Sequence, residues 1–206
     1  MSEGVTRFFL DQGLFLNIAS LTVDDFYYKG ALINQGGQVT LGKVRPGIQT
    51  IVNLPKEAEK TKKPQEHSSG IRIGSGTVNP ETVRNHSLFM MGKGKIETQG
   101  FDNEGGYADV DEFGFASKAT PSIAGVFQAK KHTSSPLEHL DIQGSVTFLD
   151  GNMNAKDLLI AEQAVFSLGK GPHHTDKLHN LGTLVTLKGM DLTTRDFRQQ
   201  LRRYRI

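Results

Sequence analysis

The chain has 206 residues, a formal net charge of +2, 22% charged residues and no cysteine. That length can bury the core of one domain or form a slice of a longer array, and the missing thiols exclude a disulfide framework, a cysteine-ligated zinc and a cysteine nucleophile. The near-neutral balance gives no reason to expect a nucleic-acid partner.

No run approaches the roughly 20 consecutive apolar residues that a membrane helix needs. The segment Met1-Ser2-Glu3-Gly4-Val5-Thr6-Arg7 lacks the basic region and small-residue cleavage site of a signal peptide. The chain therefore reads either as cytosolic or as a piece of a larger protein. The absence of thiols weighs toward export, because a chain that crosses an oxidising compartment unfolded gains from having none.

In chain order, residues 5–54 read as strands and turns, with Phe8, Leu10, Leu14, Leu16 and Ile18 at alternating positions. An exposed polar insertion at about 55–70 follows, where Lys56, Lys60, Lys62 and Lys63 lie between Pro55 and Pro64. Strand patterning resumes at Gly70–Val78, passes an Asn79-Pro80 turn, and continues through Ser87–Met91 and Lys95–Thr98. Residues 102–122 are acidic and glycine-containing; Val126–Ala129 and the runs from Leu140 to Gly169 return to short apolar alternation. At the end the period changes: Phe197, Leu201 and Tyr204 have helical spacing with Thr193 or Thr194 as N-cap, which predicts a short capping helix at about 194–206.

One pattern occurs twice. Leu32–Leu41 and Leu178–Leu187 share the form Leu-x-Asn-x-Gly-x-x-Val-Thr-Leu, six identities in ten positions. Asn and Gly tolerate positive φ, and Val and Thr suit a pleated strand, so the pattern describes a turn feeding a strand. Short strands, regular punctuation and no long helical periods predict a single all-β domain over 1–206, built as a parallel β-helix-like solenoid. Val39, Leu41, Val146, Phe148, Leu159, Val165, Val185 and Leu187 are the expected core, with Asn34 and Asn180 at coil corners bonding to backbone left unpaired by the turn. The alternative is an antiparallel β-sandwich or jelly roll in which the two Asn-x-Gly motifs are hairpin turns.

Asn34-x-Gly36, Asn180-x-Gly182 and the stretch Asn152–Ala161 resemble the repeats of filamentous-haemagglutinin-type exoproteins. The resemblance implies a right-handed parallel β-helix exported by two-partner secretion, acting as an adhesin or a toxin-bearing stalk. The Asn-Pro-Asn secretion motif of that family's N-terminal domain is not present in this sequence.

The chemistry on offer is sparse. Asp102, Glu104, Asp109, Asp111 and Glu112 form the densest carboxylate group, but their spacing fails the EF-hand loop. Asp109 and Asp111 would project from one face of a strand, as paired carboxylates of a glycan-cleaving site can. His173-His174 with His179 suggests a metal cluster, yet adjacent strand histidines face opposite ways. Gly74-x-Gly76 and Gly92-Lys93-Gly94-Lys95 lack the contexts of nucleotide loops, and Ser167 lacks a nucleophile elbow. No catalytic, cofactor or metal residue is assigned. The expected function is structural or adhesive, with a host or neighbouring-cell surface glycan or protein as partner and no cofactor; a carbohydrate-active β-helix enzyme and a viral or phage structural protein are the alternatives.

Overall fold

Apolar residues that alternate over short stretches and stop at Gly, Asn or Asp can bury one face only if a second strand lies along them. The computed structural model describes residues 6–10, 12–116, 119, 121–134 and 136–199, and in it these stretches wind into a β-solenoid of about ten turns. The first five coils supply β1 (Arg7–Leu10) and β2 (Leu14–Asn17), β3 (Ser20–Tyr28) and β4 (Gly30–Gln35), β5 (Gln38–Val44) and β6 (Ile48–Leu54), β7 (Gly70–Val78) and β8 (Thr82–Asn85), and β9 (Leu88–Thr98) and β10 (Gly100–Asp102). Two more supply β11 (Tyr107–Phe115) and β12 (Ser122–Ile123), then β13 (Val126–Ser134) and β14 (Leu137–Ile142). The last three are the continuous strands β15 (Ser145–Ile160) and β16 (Val165–Asn180), and the pair β17 (Thr183–Thr186) and β18 (Met190–Gln199).

Strand pairing is parallel from coil to coil, which removes the sandwich and jelly-roll alternative. Away from the insertion, partners lie 17 to 20 residues apart: Asn17 with Asn34, Ser20 with Gln38, Leu88 with Tyr107, Ser145 with Val165. Gln38 instead pairs with Gly70, 32 residues on, because the insertion leaves the coil after Leu54 and rejoins it at Gly70. The coil itself is uninterrupted.

Inward side chains stack in rows along the axis. Ile71, Phe89, Ala108, Phe127, Val146 and Phe166 form one such row, all fully buried. Neighbouring coils are only about 4.8 Å apart, so two stacked phenylalanines need a small residue or a tilted ring between them. Ala108 supplies the space between Phe89 and Phe127 and Val146 that between Phe127 and Phe166, while Phe148, in a different row, crosses Phe166 edge-on at 5.5 Å.

Of the expected core, Val39, Leu41, Val146 and Phe148 are fully buried. Leu159 and Val185 are only half-buried, and Val165 and Leu187 are exposed. The two Asn-x-Gly motifs occupy equivalent corners, but the second turn is one residue shorter: Gln38 and Thr183 are the structural equivalents, each donating its N–H to the preceding coil (Ala19 O at 2.9 Å, Ala164 O at 3.0 Å). Gly182 therefore matches Gly37 rather than Gly36. A one-residue offset in a strand exchanges its faces, so Leu184 packs against the core and Val185 turns outward.

The expected capping helix is replaced, over 194–199, by the end of β18, paired with β16 from Gly171–Met190 to Asn180–Gln199. The ready-made ladder of β16 overrides the helical spacing of Phe197, and adjacent β-branched Thr193 and Thr194 favour the strand. Leu201 and Tyr204 lie outside the described residues.

Candidate functional site

The corner that follows β2, β4, β6, β8 and β10 carries a ladder of five asparagines. Asn17 Nδ2 donates to Asn34 Oδ1 at 2.9 Å, Asn34 to Asn53 at 2.9 Å, Asn53 to Asn85 at 2.7 Å and Asn85 to Asn103 at 2.7 Å. Asn103 Nδ2 then reaches the carbonyls of Gly106, Ala124 and Val126. All five are buried, and each buried amide needs such partners because an unmade bond costs roughly 1–3 kcal/mol. The ladder stops where the backbone ladder between β10 and β12 also stops. Beyond it the strand-end position holds Ile123, Ile142 and Ile160, and Asn180 restores an amide in the same row.

Each ladder asparagine is followed by a residue that faces outward, and Ile18, Gln35, Leu54, His86 and Glu104 together floor an open groove of about 820 Å³ running along the axis. Four coil spacings of about 4.8 Å make that floor roughly 19 Å long. The insertion forms its wall, with Lys56, Lys60 and Lys62 along the rim and His67 below. Gly36 lets the wall lean in: a Cβ there would come within 3.1 Å of Lys56 Cα, and its φ of +74° also favours glycine.

The insertion is anchored rather than wholly solvated. Its 3₁₀ turns, Glu57–Glu59 and Pro64–Glu66, place Glu59 inside, only 4% exposed. Burial opposes ionisation of Glu59, but the hydroxyls and amides of Ser69 and Ser68 all donate to its carboxylate and bring its pKa down to about 2. His67 Nδ1 lies 3.0 Å from Ser87 Oγ and its Nε2 3.3 Å from the Lys62 carbonyl. Glu59, Ser69, Ser87 and His67 contain the residue types of a hydrolytic triad, but Ser69 and Ser87 are fully buried, so the cluster acts as an internal clasp holding the groove wall to the coils.

The carboxylates singled out from sequence separate into two places. Asp102 and Glu104 sit at the corner, where the Glu104 amide donates to Asp102 Oδ1 at 3.1 Å. Asp109 and Asp111 do share the outer face of β11, flanking buried Val110. Asp111 accepts from the Gly94 amide at 3.1 Å and lies 3.9 Å from Lys130 Nζ, while Glu112 lies 4.0 Å from Lys131 Nζ. Similar pairs tie the far sheet: Lys156 to Glu138 at 2.7 Å, Lys177 to Asp157 at 3.8 Å and Arg195 to Asp176 at 3.4 Å. Acids and bases that alternate from coil to coil favour the native register.

His173 and His174 do face opposite ways. His173 is buried with Nε2 3.1 Å from the Gly169 carbonyl, and His174 meets Asp176 at 3.3 Å on the surface. Among the described residues no three His, Asp or Glu side chains converge on a metal position. His132, not singled out from sequence, is fully buried, stacks on Phe148 at 4.0 Å and 2°, and has both ring nitrogens unpartnered. Burial brings its pKa down to about 3, so it is a neutral aromatic of the core. The remaining rungs Asn17, Asn53, Asn85 and Asn103 did leave a signal, since bonded asparagines are 17, 19, 32 and 18 residues apart, the coil period plus the insertion.

No helix of the described residues is long and apolar enough to cross a membrane. No protein-family model, curated protein or solved structure matches the chain.

Proposed function

We propose that this chain is a non-catalytic, adhesive and structural segment of an exported bacterial surface protein, binding through a face that several coils build together. The groove at the asparagine corner carries this reading: its floor draws one residue from each of five coils and its wall comes from an insertion clasped to them. Such a surface is rigid before a ligand arrives, which lowers the ordering cost of binding. The likeness of the Asn-x-Gly corners to filamentous-haemagglutinin-type repeats supports export. The enzymatic alternative rests on Asp109 and Asp111, and Asp111 is held by Gly94 and Lys130 on an open sheet face rather than aimed into a cleft.

The test is to incubate the purified chain with surface glycans and with intact cells, and to follow both binding and the covalent state of the ligand. Binding with the ligand recovered unchanged is expected. Polysaccharide cleavage that disappears in a folded Asp109→Asn or Asp111→Asn variant would replace this reading with the enzymatic one.

A further inference from the structure

We propose that the groove over the asparagine corner holds an extended acidic oligosaccharide, with Lys56 and Lys62 as the contacts for its carboxylates. This rests on the adhesive reading and gives it a site and a ligand class.

The first argument is shape. Strands run around the solenoid, whereas the groove runs along its axis, so its floor offers no free strand edge for a peptide to extend. It offers a row of side chains at one fixed spacing, suited to a linear polymer that presents a similar group at every step. Ile18 and Leu54 give apolar patches for the C–H faces of sugar rings, and Gln35 and His86 place hydrogen-bonding groups between and beyond them.

The second argument is charge. Several sheet-face cations meet acids of neighbouring strands, as at Lys130–Asp111, Lys156–Glu138 and Lys177–Asp157. Along the groove rim, Lys60 is held by Glu57 at 2.5 Å, but Lys56 and Lys62 form no ion pair among the described residues. Of the other two acids of the insertion, Glu59 is turned inward with its charge satisfied by Ser68 and Ser69, and Glu66 does not line the groove. The wall thus shows two unneutralised ammonium groups to the groove. Glu104 closes the far end of the floor with the opposite sign, so the acidic groups of a ligand belong near the insertion and its neutral hydroxyls near His86 and Glu104.

The experiment is calorimetric titration of the full chain with an oligogalacturonate long enough to span the groove, with its fully methyl-esterified form and with polyglutamate of matched charge. The acidic oligosaccharide should bind, and raised salt should weaken it. The ester and polyglutamate should bind at least tenfold less tightly. Lys56→Glu/Lys62→Glu should lose at least tenfold in affinity with an unchanged circular dichroism spectrum, and Lys188→Glu, at a distant exposed turn, should bind as the parent does. Equal binding by the ester or by polyglutamate overturns the ligand class. Undiminished binding by the double variant overturns the site yet leaves the adhesive reading standing. Cleavage of the oligomer overturns both. No binding of the oligogalacturonate overturns the ligand proposal, and the cell-surface assay above then decides the adhesive reading separately.

Discussion

Single residues in this fold divide sharply by the face they occupy. Phe148 is fully buried against Phe127, Phe166 and His132, so Phe148→Ala should cost about 3–5 kcal/mol. Val185, out of phase with the core, should tolerate Val185→Thr at less than about 1 kcal/mol, and urea unfolding of the two variants checks the assignment of faces. Asn53→Ala removes the acceptor of Asn34 and the donor to Asn85 and Leu88, and should cost about 2–3 kcal/mol in the same assay. Burial lowers the pKa of both His132 and His173, and His132, the more deeply buried, should contribute most to the loss of stability in acid. Its folded pKa is depressed, so the folded state binds fewer protons than the unfolded one, whose imidazole titrates near 6.5. That contribution is intact above pH 6.5 and is lost progressively as pH falls toward 3; Glu59, depressed from 4.5 to about 2, adds a second loss below pH 4.5. Denaturation midpoints at pH 7 and 4.5 should therefore differ, and His132→Phe, which keeps the aromatic stack, should shrink the difference. An unchanged difference in that variant would show that other groups govern acid sensitivity.

At the scale of elements, the insertion is held by contacts that its composition does not display. Pro55, Pro64 and the lysines read as an excursion from the coil over about 55–70, and in the structure Gln38 pairs with Gly70, 32 residues on. What composition could not convey is that one glutamate of the run, Glu59, is inside, because that depends on Ser68, Ser69 and Ser87 arriving from further along the chain. Glu59→Ala should consequently loosen the insertion without unfolding the solenoid, read as faster proteolysis confined to 55–69 with little change in the global unfolding midpoint. The β-solenoid class was legible because alternation and Asn-x-Gly turns are local signals. The phase of the second repeat was not, since Gly182 aligns with Gly36 by letter but with Gly37 by hydrogen bond. The missing helix over 194–199 has the same origin: its spacing was real, but β16 offered a template that spacing does not record. Of the groove, the lysines were visible and the floor was not, because its five residues share no chemistry and only coil winding brings them together.

For the whole molecule, each coil touches chiefly the coils before and after it, so cohesion is a sum of nearest-neighbour interfaces. Middle coils have two neighbours and burial in them is complete; in the coil of β17 and β18 even the packed Leu184, Met190 and Leu192 are only half-buried. Amide exchange should accordingly be slowest in β9, β11 and β13 and faster toward β1, β2, β17 and β18. Uniform protection along the chain would contradict a stacked, quasi-linear cohesion. The asparagine ladder gives this stack a direction. Every side-chain amide points its NH2 toward higher residue numbers, so the small dipoles add head to tail and polarise one another. Asn103 discharges the donor end into three carbonyls, while at the other end the oxygen of Asn17 accepts no bond among the described residues. The row behaves as a one-way connector: whatever lies against Asn17, whether more chain, solvent or a second molecule, completes it by bringing a proton donor, and an acceptor presented there is turned away.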